Sequence, residues 1–518
     1  MDAVIEAPPL APQRRTGRRW LPALAGLAAA ALGLGVAELV AGLLARTATP
    51  VIAVGEAFID RVPSWLKDLA VEWFGTADKT VLIGGVLLVF AALSAGIGVL
   101  TSRRRGAGLL AAAALGAVAA LAVASRPDSS AGDLLPTIVG AGASLIALDR
   151  LAVRVPVAEV SRGEGDGRRT FLRTIGVVAG LGLVAFVGGR WLGRRRSSVE
   201  ESREAVALPD RTVEEPPGVD LGVDGAEPWR TPNQVFYRID TALAVPLVQA
   251  EGWDLRVHGL VEREVNLTFD ELVDMGLVER WVTLTCVSNE VGGYLAGNAL
   301  WAGVPVADVL ALAGPAADAD AVKSTSADGW TAGTPLEVLT DGRDALFAVA
   351  MNGEPLPVEH GFPVRMVVPG LYGYVSATKW VVDVEVTRFA DFKAYWSTRG
   401  WSERGPIKTA SRIEVPRPDA SVTAGRVAVA GVAWAQHRGI RAVEVRVDDG
   451  PWRRARLAEV PSTDTWCQWI WEWDAESGDH DLQVRATSAD GELQTEQEAP
   501  PAPDGATGWH RVTVTVDE

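Results

Sequence analysis

Cysteine and histidine are scarce in this sequence. Two cysteines in 518 residues, Cys286 and Cys467, cannot build a disulfide framework. The five histidines, His258, His360, His437, His480 and His510, all lie in the second half or close to it. The apolar first part therefore has no imidazole pair with which to hold a haem between its helices. No CxxCH run and no ferredoxin-type set of cysteines occurs, so a second redox centre of those kinds is not expected in this sequence. Positive charge is scarce after residue 200, where 27 Lys+Arg face 50 Asp+Glu for a net of −23. Such a surface has nothing to displace counterions from phosphates, which argues against nucleic acid as a partner.

The first 200 residues are a different material, with 22 Lys+Arg against 15 Asp+Glu and only four of the 19 tryptophans. Apolar runs lie at Trp20–Leu44, Thr80–Leu100, Ala107–Ala124 and Phe171–Leu192, with a shorter one near Leu134–Leu148. Crossing a bilayer takes about 20 such residues, so four or five transmembrane helices are expected, the Leu134 run being the weakest. Their Gly and Ala content suits close helix contacts. Arg14, Arg15, Arg18 and Arg19, then Arg103–Arg105, then Arg150, Arg154, Arg162, Arg168 and Arg169 mark every second loop as cytoplasmic. Five spans then leave everything after residue 195 on the extracytoplasmic side of the cell membrane, although Arg194–Arg196 on that side run against the rule. Arg168-Arg169-Thr170-Phe171-Leu172-Arg173 before the last span resembles an internal twin-arginine export signal, a route for proteins that fold around a cofactor first. Residues 1–196 thus read as a membrane domain. Residues 197–228, rich in Glu and Pro (Glu200, Glu201, Glu204, Pro209, Glu214, Glu215, Pro216, Pro217), read as a linker.

From residue 229 the texture changes to short strands and turns. Trp253–Gly259 alternates as a strand does, and Thr268 with Glu271 three residues on reads as a capped helix start. Trp281–Cys286 is an apolar strand that delivers a cysteine into the loop Val287-Ser288-Asn289-Glu290-Val291-Gly292-Gly293. A rigid strand feeding an open loop suits a functional group, though a lone cysteine is by default a small packed residue.

Several blocks then occur in order: Thr231–Arg238; Leu284-Thr285-Cys286 with Asn289; Met351-Asn352-Gly353-Glu354-Pro355-Leu356-Pro357; His360-Gly361-Phe362-Pro363-Val364-Arg365; Val368-Pro369-Gly370; and Lys379-Trp380. Together they resemble the sulfite-oxidase family of molybdopterin enzymes from about Trp229 onward. The resemblance implies a molybdopterin-binding catalytic domain over 229–415 with an α+β sulfite-oxidase-type fold. It implies molybdenum cofactor (Mo-molybdopterin) with Cys286 as thiolate ligand, a role that suits a soft donor. By the same resemblance His360, Arg365 and Lys379 bind the cofactor, and Phe236 and Arg238 lie near its metal face. Asp328 is a candidate acceptor for pterin amino groups, although an Asp before Gly329 is also an ordinary turn former. The chain departs from the family where Glu290 and Val291 follow the cysteine, where Asp240 replaces a histidine, and where Trp401 takes the place of a tyrosine. Arg238 and Arg399 remain as anion contacts.

Residues 416–518 read as an all-β unit with strands at Arg426–Trp434, Ile440–Val447, Thr465–Trp473, Leu482–Thr487 and Arg511–Val516, and a turn at Asp448-Asp449-Gly450. Such spacing fits an immunoglobulin-like sandwich, which in the resembling family supports dimerisation, so a homodimer is possible. Cys467 and Trp466, Trp469, Trp471 and Trp473 are expected as core. The leading functional expectation is a membrane-anchored oxidoreductase performing two-electron oxygen-atom transfer on a small sulfur-containing or oxyanion substrate. Its electrons would pass to a separate electron-transfer protein or membrane redox partner. The alternatives are a thiol hydrolase using Cys286 with His360 as base, and a membrane-tethered binding module without catalysis.

Overall fold

The computed structural model describes residues 20–44, 49–62, 73, 78–126, 131–154, 164–196, 199–208 and 213–518. Arg14, Arg15, Arg18, Arg19, Arg162 and Pro209 lie outside the described residues. The chain divides into two compact units, residues 1–197 and 198–518.

The described part of the first unit is helical: α1 (Trp20–Leu43), α2 (Pro50–Arg61), α3 (Asp78–Arg103), α4 (Arg105–Ala124), α5 (Leu134–Val153) and α6 (Glu164–Arg196). All but α2 are long and apolar enough to cross a membrane. The short fourth run extends to Val153 and, at 20 residues, is as long as α4. Helix α1 packs against α3, α5 and α6 through glycine. A Cβ at Gly26 would stand 2.0 Å from the Ser94 carbonyl oxygen, one at Gly35 2.0 Å from that of Gly182, and one at Gly42 2.1 Å from that of Gly189. Backbone meets backbone at these points, as the small-residue content led one to expect.

The second unit opens with the segment expected as a linker, and its described residues are held along the fold. Val199, on the short helix α7 (Val199–Glu204), and Val219 are buried in the core. Ser202 Oγ bonds the Glu251 carboxylate at 2.7 Å and accepts from the Ala250 N–H, and Arg203 donates to the Leu356 carbonyl. Two small valines amid the carboxylates supply the anchor, and they are too few to register as a periodicity.

Two sheets follow. The first joins β1 (Asp254–Gly259), β2 (Val265–Thr268), β5 (Ala321–Ser326), β6 (Thr331–Pro335) and β10 (Val381–Thr387) in the order β2-β1-β10-β5-β6. The second joins β3 (Val278–Thr285), β4 (Ala296–Pro305) and β7 (Leu346–Met351), with β8 (Glu354–Pro355) and β9 (Arg365–Val367) both beside β7. Helix α8 (Phe269–Asp274) starts as the sequence predicts. The Thr268 hydroxyl accepts from the Glu271 N–H, and the Glu271 carboxylate accepts from the Thr268 N–H at 2.9 Å. Strand β4 is buried along nearly its whole length, since it lies between β3 and β7 and is covered on its faces. Helices α9 (Val306–Ala313), α10 (Leu336–Thr340) and α11 (Gly373–Ser376) complete this region.

Beyond it lie two further sheets that share one core. They contain β11 (Ala410–Val415), β12 (Ala420–Thr423), β13 (Gly425–Trp434), β14 (Ile440–Val447), β15 (Arg453–Arg454), β16 (Arg456–Leu457), β17 (Cys467–Ala475), β18 (Gly478–Ser488) and β19 (His510–Asp517). Their orders are β11-β13-β17-β16 and β12-β19-β18-β14-β15. Val429, Val443, Trp469, Leu482 and Val514 fill the space between them. Cys467 is a buried free thiol, and Trp473 joins the same core. Trp466 instead packs with the preceding sheets: its indole N–H donates to the Trp229 carbonyl at 2.9 Å, and that of Trp229 donates back to the Trp466 carbonyl.

Candidate cofactor-binding cleft

One cleft of the second unit collects residues from six separate stretches of chain. Its volume is ≈ 920 Å³ counted to the open mouth, and Phe236, Cys286, Asp328, His360, Arg365, Lys379 and Trp401 all line it. Of the residues singled out from sequence, Arg238 and Arg399 are not among the lining. The Arg238 guanidinium bonds Asp240 at 2.9 Å. Arg399 donates to the Tyr395 carbonyl at 2.7 Å and lies over its ring.

Cys286 directly follows β3. Its N–H donates to the Leu295 carbonyl at 2.9 Å and its carbonyl accepts from Asn289 N–H at 3.1 Å, while Asn289 Oδ1 accepts from the Leu295 N–H. This closed loop explains the Asn at 289. Burial pushes the thiol above its ordinary range, against hydrogen bonds from Ser288.

The Asn-Gly-Glu-Pro block is a clamp built on a two-residue hairpin. Asn352 and Gly353 both have positive φ (54° and 82°), as a tight turn between β7 and β8 requires. The Asn352 amide then donates to the Thr231 carbonyl and to Asn233 Oδ1, and its oxygen accepts from Leu300 N–H. The Thr231–Arg238 block is thereby fixed to β4, and Phe236 is set edge-on to His360 and Trp301.

Three nitrogenous side chains converge on one side. Gly361 adopts φ +114°, and a Cβ there would lie about 3 Å from the Cβ atoms of both Arg365 and Lys379. Its smallness lets the two approach beneath His360. Arg365 is buried, and among the described residues no carboxylate pairs with it. Its guanidinium donates to the carbonyls of His360 (3.1 Å), Met366 (3.4 Å) and Ala377 (3.5 Å) and lies over the Trp301 ring. Burial lowers it to about 10, so it stays charged at neutral pH. Lys379 bonds Asp240 and the Glu359 carbonyl and is lowered by burial to about 8. His360 is lowered to about 3 by burial, with Arg365 and Lys379 adding to it, and is neutral at pH 7. A buried cation compensated only by carbonyl dipoles costs several kcal/mol unless an anion completes it. The donor set therefore fits an anionic group such as a phosphate-bearing cofactor.

Further aromatic residues line the cleft. Tyr374 donates to the Ser402 carbonyl at 2.7 Å and, with Trp396 and Trp401, gives an aromatic wall. Trp330, Trp380 and Tyr237 also line the cleft. Burial raises the Tyr237 phenol well above its ordinary value, so it stays protonated. Asp328 accepts from the Trp330 N–H at 3.0 Å, so it is a turn former that also faces the cleft.

The cleft's donor set fits a phosphate-bearing cofactor, and the class of cofactor-dependent enzyme comes from comparison with known proteins. Residues 242–396 match the family model described as oxidoreductase molybdopterin binding domain. The uncharacterised oxidoreductase YuiH of Bacillus subtilis is 34% identical over 153 residues, 30% of this chain and 74% of that protein. Sulfite oxidase of Gallus gallus is 30% identical over 294 residues, 48% of this chain and 63% of that protein. Mitochondrial sulfite oxidase of Homo sapiens is 29% identical over 345 residues, covering 56% and 62%. The sulfane dehydrogenase SoxCD from Paracoccus pantotrophus aligns in structure with a TM-score of 0.49 at 23% identity, covering 56% of this chain and 84% of that one. The chain thus matches a little under two thirds of the length of these sulfite oxidases. It belongs to the sulfite-oxidase-type family of molybdopterin-dependent oxidoreductases.

Proposed function

We propose that the chain is a membrane-anchored enzyme of two-electron oxygen-atom transfer acting on a small sulfur-containing or oxyanion substrate. The observation that carries this reading is the buried, carboxylate-free Arg365 beside neutral His360 in the cleft that Cys286 lines. Molybdenum bound to molybdopterin supplies the two-electron change and the oxo exchange when present. Cys286 holds the metal as thiolate, because metal coordination offsets the cost of ionising a buried thiol. Arg365, Lys379 and His360 would hold the anionic part of the cofactor, Asp328 would accept from its amino groups, and Phe236 would add an apolar contact. Trp401 and Tyr374, which line the cleft, would exclude water from the bound group, and Arg238 and Arg399, outside its lining, would serve as anion contacts. The C-terminal sheets serve as an immunoglobulin-like sandwich that supports a homodimer. Five helices anchor the chain, with residues 198–518 extracytoplasmic, and electrons pass to a separate protein or membrane redox partner.

A thiol hydrolase is disfavoured by the charge states. Its nucleophile would need a lowered thiol pKa and a histidine able to take a proton near pH 7. Here burial raises the thiol and pushes His360 down to about 3.

The direct test is molybdenum per chain in detergent-purified protein, with pterin fluorescence after oxidation. About one molybdenum per chain is expected, and Cys286→Ser should alter the metal's absorption spectrum. Absence of metal and pterin, from a host that loads other molybdoenzymes, would leave a membrane-tethered binding module.

A further inference from the structure

The cysteine loop is gripped from outside the sheets that carry it. Arg412 on β11 is fully buried, and its guanidinium serves three acceptors at once. Nε and Nη2 bond Glu414, Nη2 also reaches Glu227 at 3.1 Å, and Nη1 donates to the Gly293 carbonyl at 2.6 Å. Its plane lies over the Tyr294 ring. One residue away, Ile413 N–H donates to His510 Nδ1 at 3.0 Å. The far edge of that imidazole abuts Gly292, where a Cβ would stand 2.2 Å from Cδ2 and Nε2. Gly292 (φ +77°) and Gly293 are thus held between an arginine 119 residues away and a histidine on β19.

We propose that Arg412 is a positioning residue for Cys286, seconded by His510, so that the C-terminal β unit is part of the active site as well as a support. The path is short and has no slack. Gly293 N–H donates to the Glu290 carbonyl, Asn289 Oδ1 holds Leu295 N–H, and Leu295 and Asn289 both bond Cys286 backbone groups. Fixing the Gly293 carbonyl fixes the loop at whose start the thiol stands. The same unit holds the preceding strand: Gln436 donates to the Thr283 carbonyl and Thr285 Oγ1, and Trp466 N–H to Thr283 Oγ1. Arginine is needed because its planar fork meets two carboxylates and a carbonyl in fixed directions, which a lysine ammonium cannot do together. The inference rests on Cys286 being the metal ligand for its catalytic meaning, while the loop restraint itself does not depend on it.

The test therefore uses the full chain in detergent without cofactor and reads thiol alkylation by iodoacetamide at each cysteine. Cys467, buried in β17, reports on general opening. Arg412→Met is expected to speed alkylation of Cys286 by about tenfold or more, the scale of one lost charge-assisted hydrogen bond, with Cys467 unchanged. Arg412→Lys should give a smaller rise confined to Cys286, and it decides the matter if the Met variant opens both sites. The loaded Arg412→Lys enzyme should keep its molybdenum but show a shifted metal absorption spectrum and a lower kcat at similar KM. An unchanged Cys286 rate in Arg412→Lys, or equal rises at both cysteines, would overturn the proposal. Failure of the cofactor reading would instead appear as missing molybdenum in the unmutated chain.

Discussion

Lys379 is the cleft residue whose charge is most readily lost. Burial brings its ammonium down to about 8, and the Asp240 carboxylate 3.0 Å away works in the opposite direction. An anionic cofactor bound beside it would favour the charged form and raise its pKa. Between about 8 and that raised value, binding takes up a proton, so affinity falls as pH rises, by up to about tenfold per unit. The empty chain behaves oppositely. Its unfolded lysine binds a proton up to the ordinary 10.5 while the folded one releases it near 8, so folding stability rises with pH across that window. Asp240→Asn removes the supporting carboxylate and should move the onset of cofactor loss to lower pH. Molybdenum retained after dialysis from about pH 6 to about 9.5 measures it. The same midpoint in both proteins would mean that Lys379 does not hold the cofactor's charge.

Among elements, the α1–α6 contact makes a sharp demand. Gly35 and Gly42 face Gly182 and Gly189 at carbonyl distance, and nothing larger than hydrogen fits. Gly35→Leu should force the helices apart at about 1–3 kcal/mol. A lower midpoint for loss of helix signal on heating in detergent would register this, with molybdenum per chain unchanged. If the midpoint stays put, the helices do not meet there. The helices themselves were legible because long apolar runs have one reading, and β13, β14, β18 and β19 were legible because turn residues bracket them. The Thr268 cap was legible because its two partners are three residues apart. Cleft residues drawn from known motifs could be named, since Cys286, His360, Arg365 and Lys379 sit inside recognisable blocks and do line it. Tyr374 and Trp396 could not, because the four-residue helix α11 and the irregular stretch around Trp396 are too short to carry a periodic pattern and meet the cleft only through tertiary packing. Arg412 and His510 were hidden further still. Each lies in an ordinary strand, and only pairing across more than a hundred residues puts them on the cysteine loop.

For the molecule as a whole, the proposed orientation rests on the basic residues of the short loops between spans, which recur at every second loop, and not on the net charge of either part. On the proposed orientation, a unit of more than 300 residues that is loaded with cofactor in the cytoplasm would have to cross the membrane already folded. An export route for folded proteins would meet that need, and the arginine pair that would address it falls within the first two turns of α6. Replacing Arg168 and Arg169 together by Lys keeps the positive charge of the loop and removes only the signal. In cells stripped of their outer layers, added protease should digest residues 198–518 of the unmutated chain and spare them in the variant. Molybdenum per chain should be equal in the two, because loading comes before crossing. Digestion of both would mean that the arginine pair is only a basic loop and that another route carries the domain. Protection of both would reverse the proposed orientation, placing the cleft in the cytoplasm and its electron partner with it.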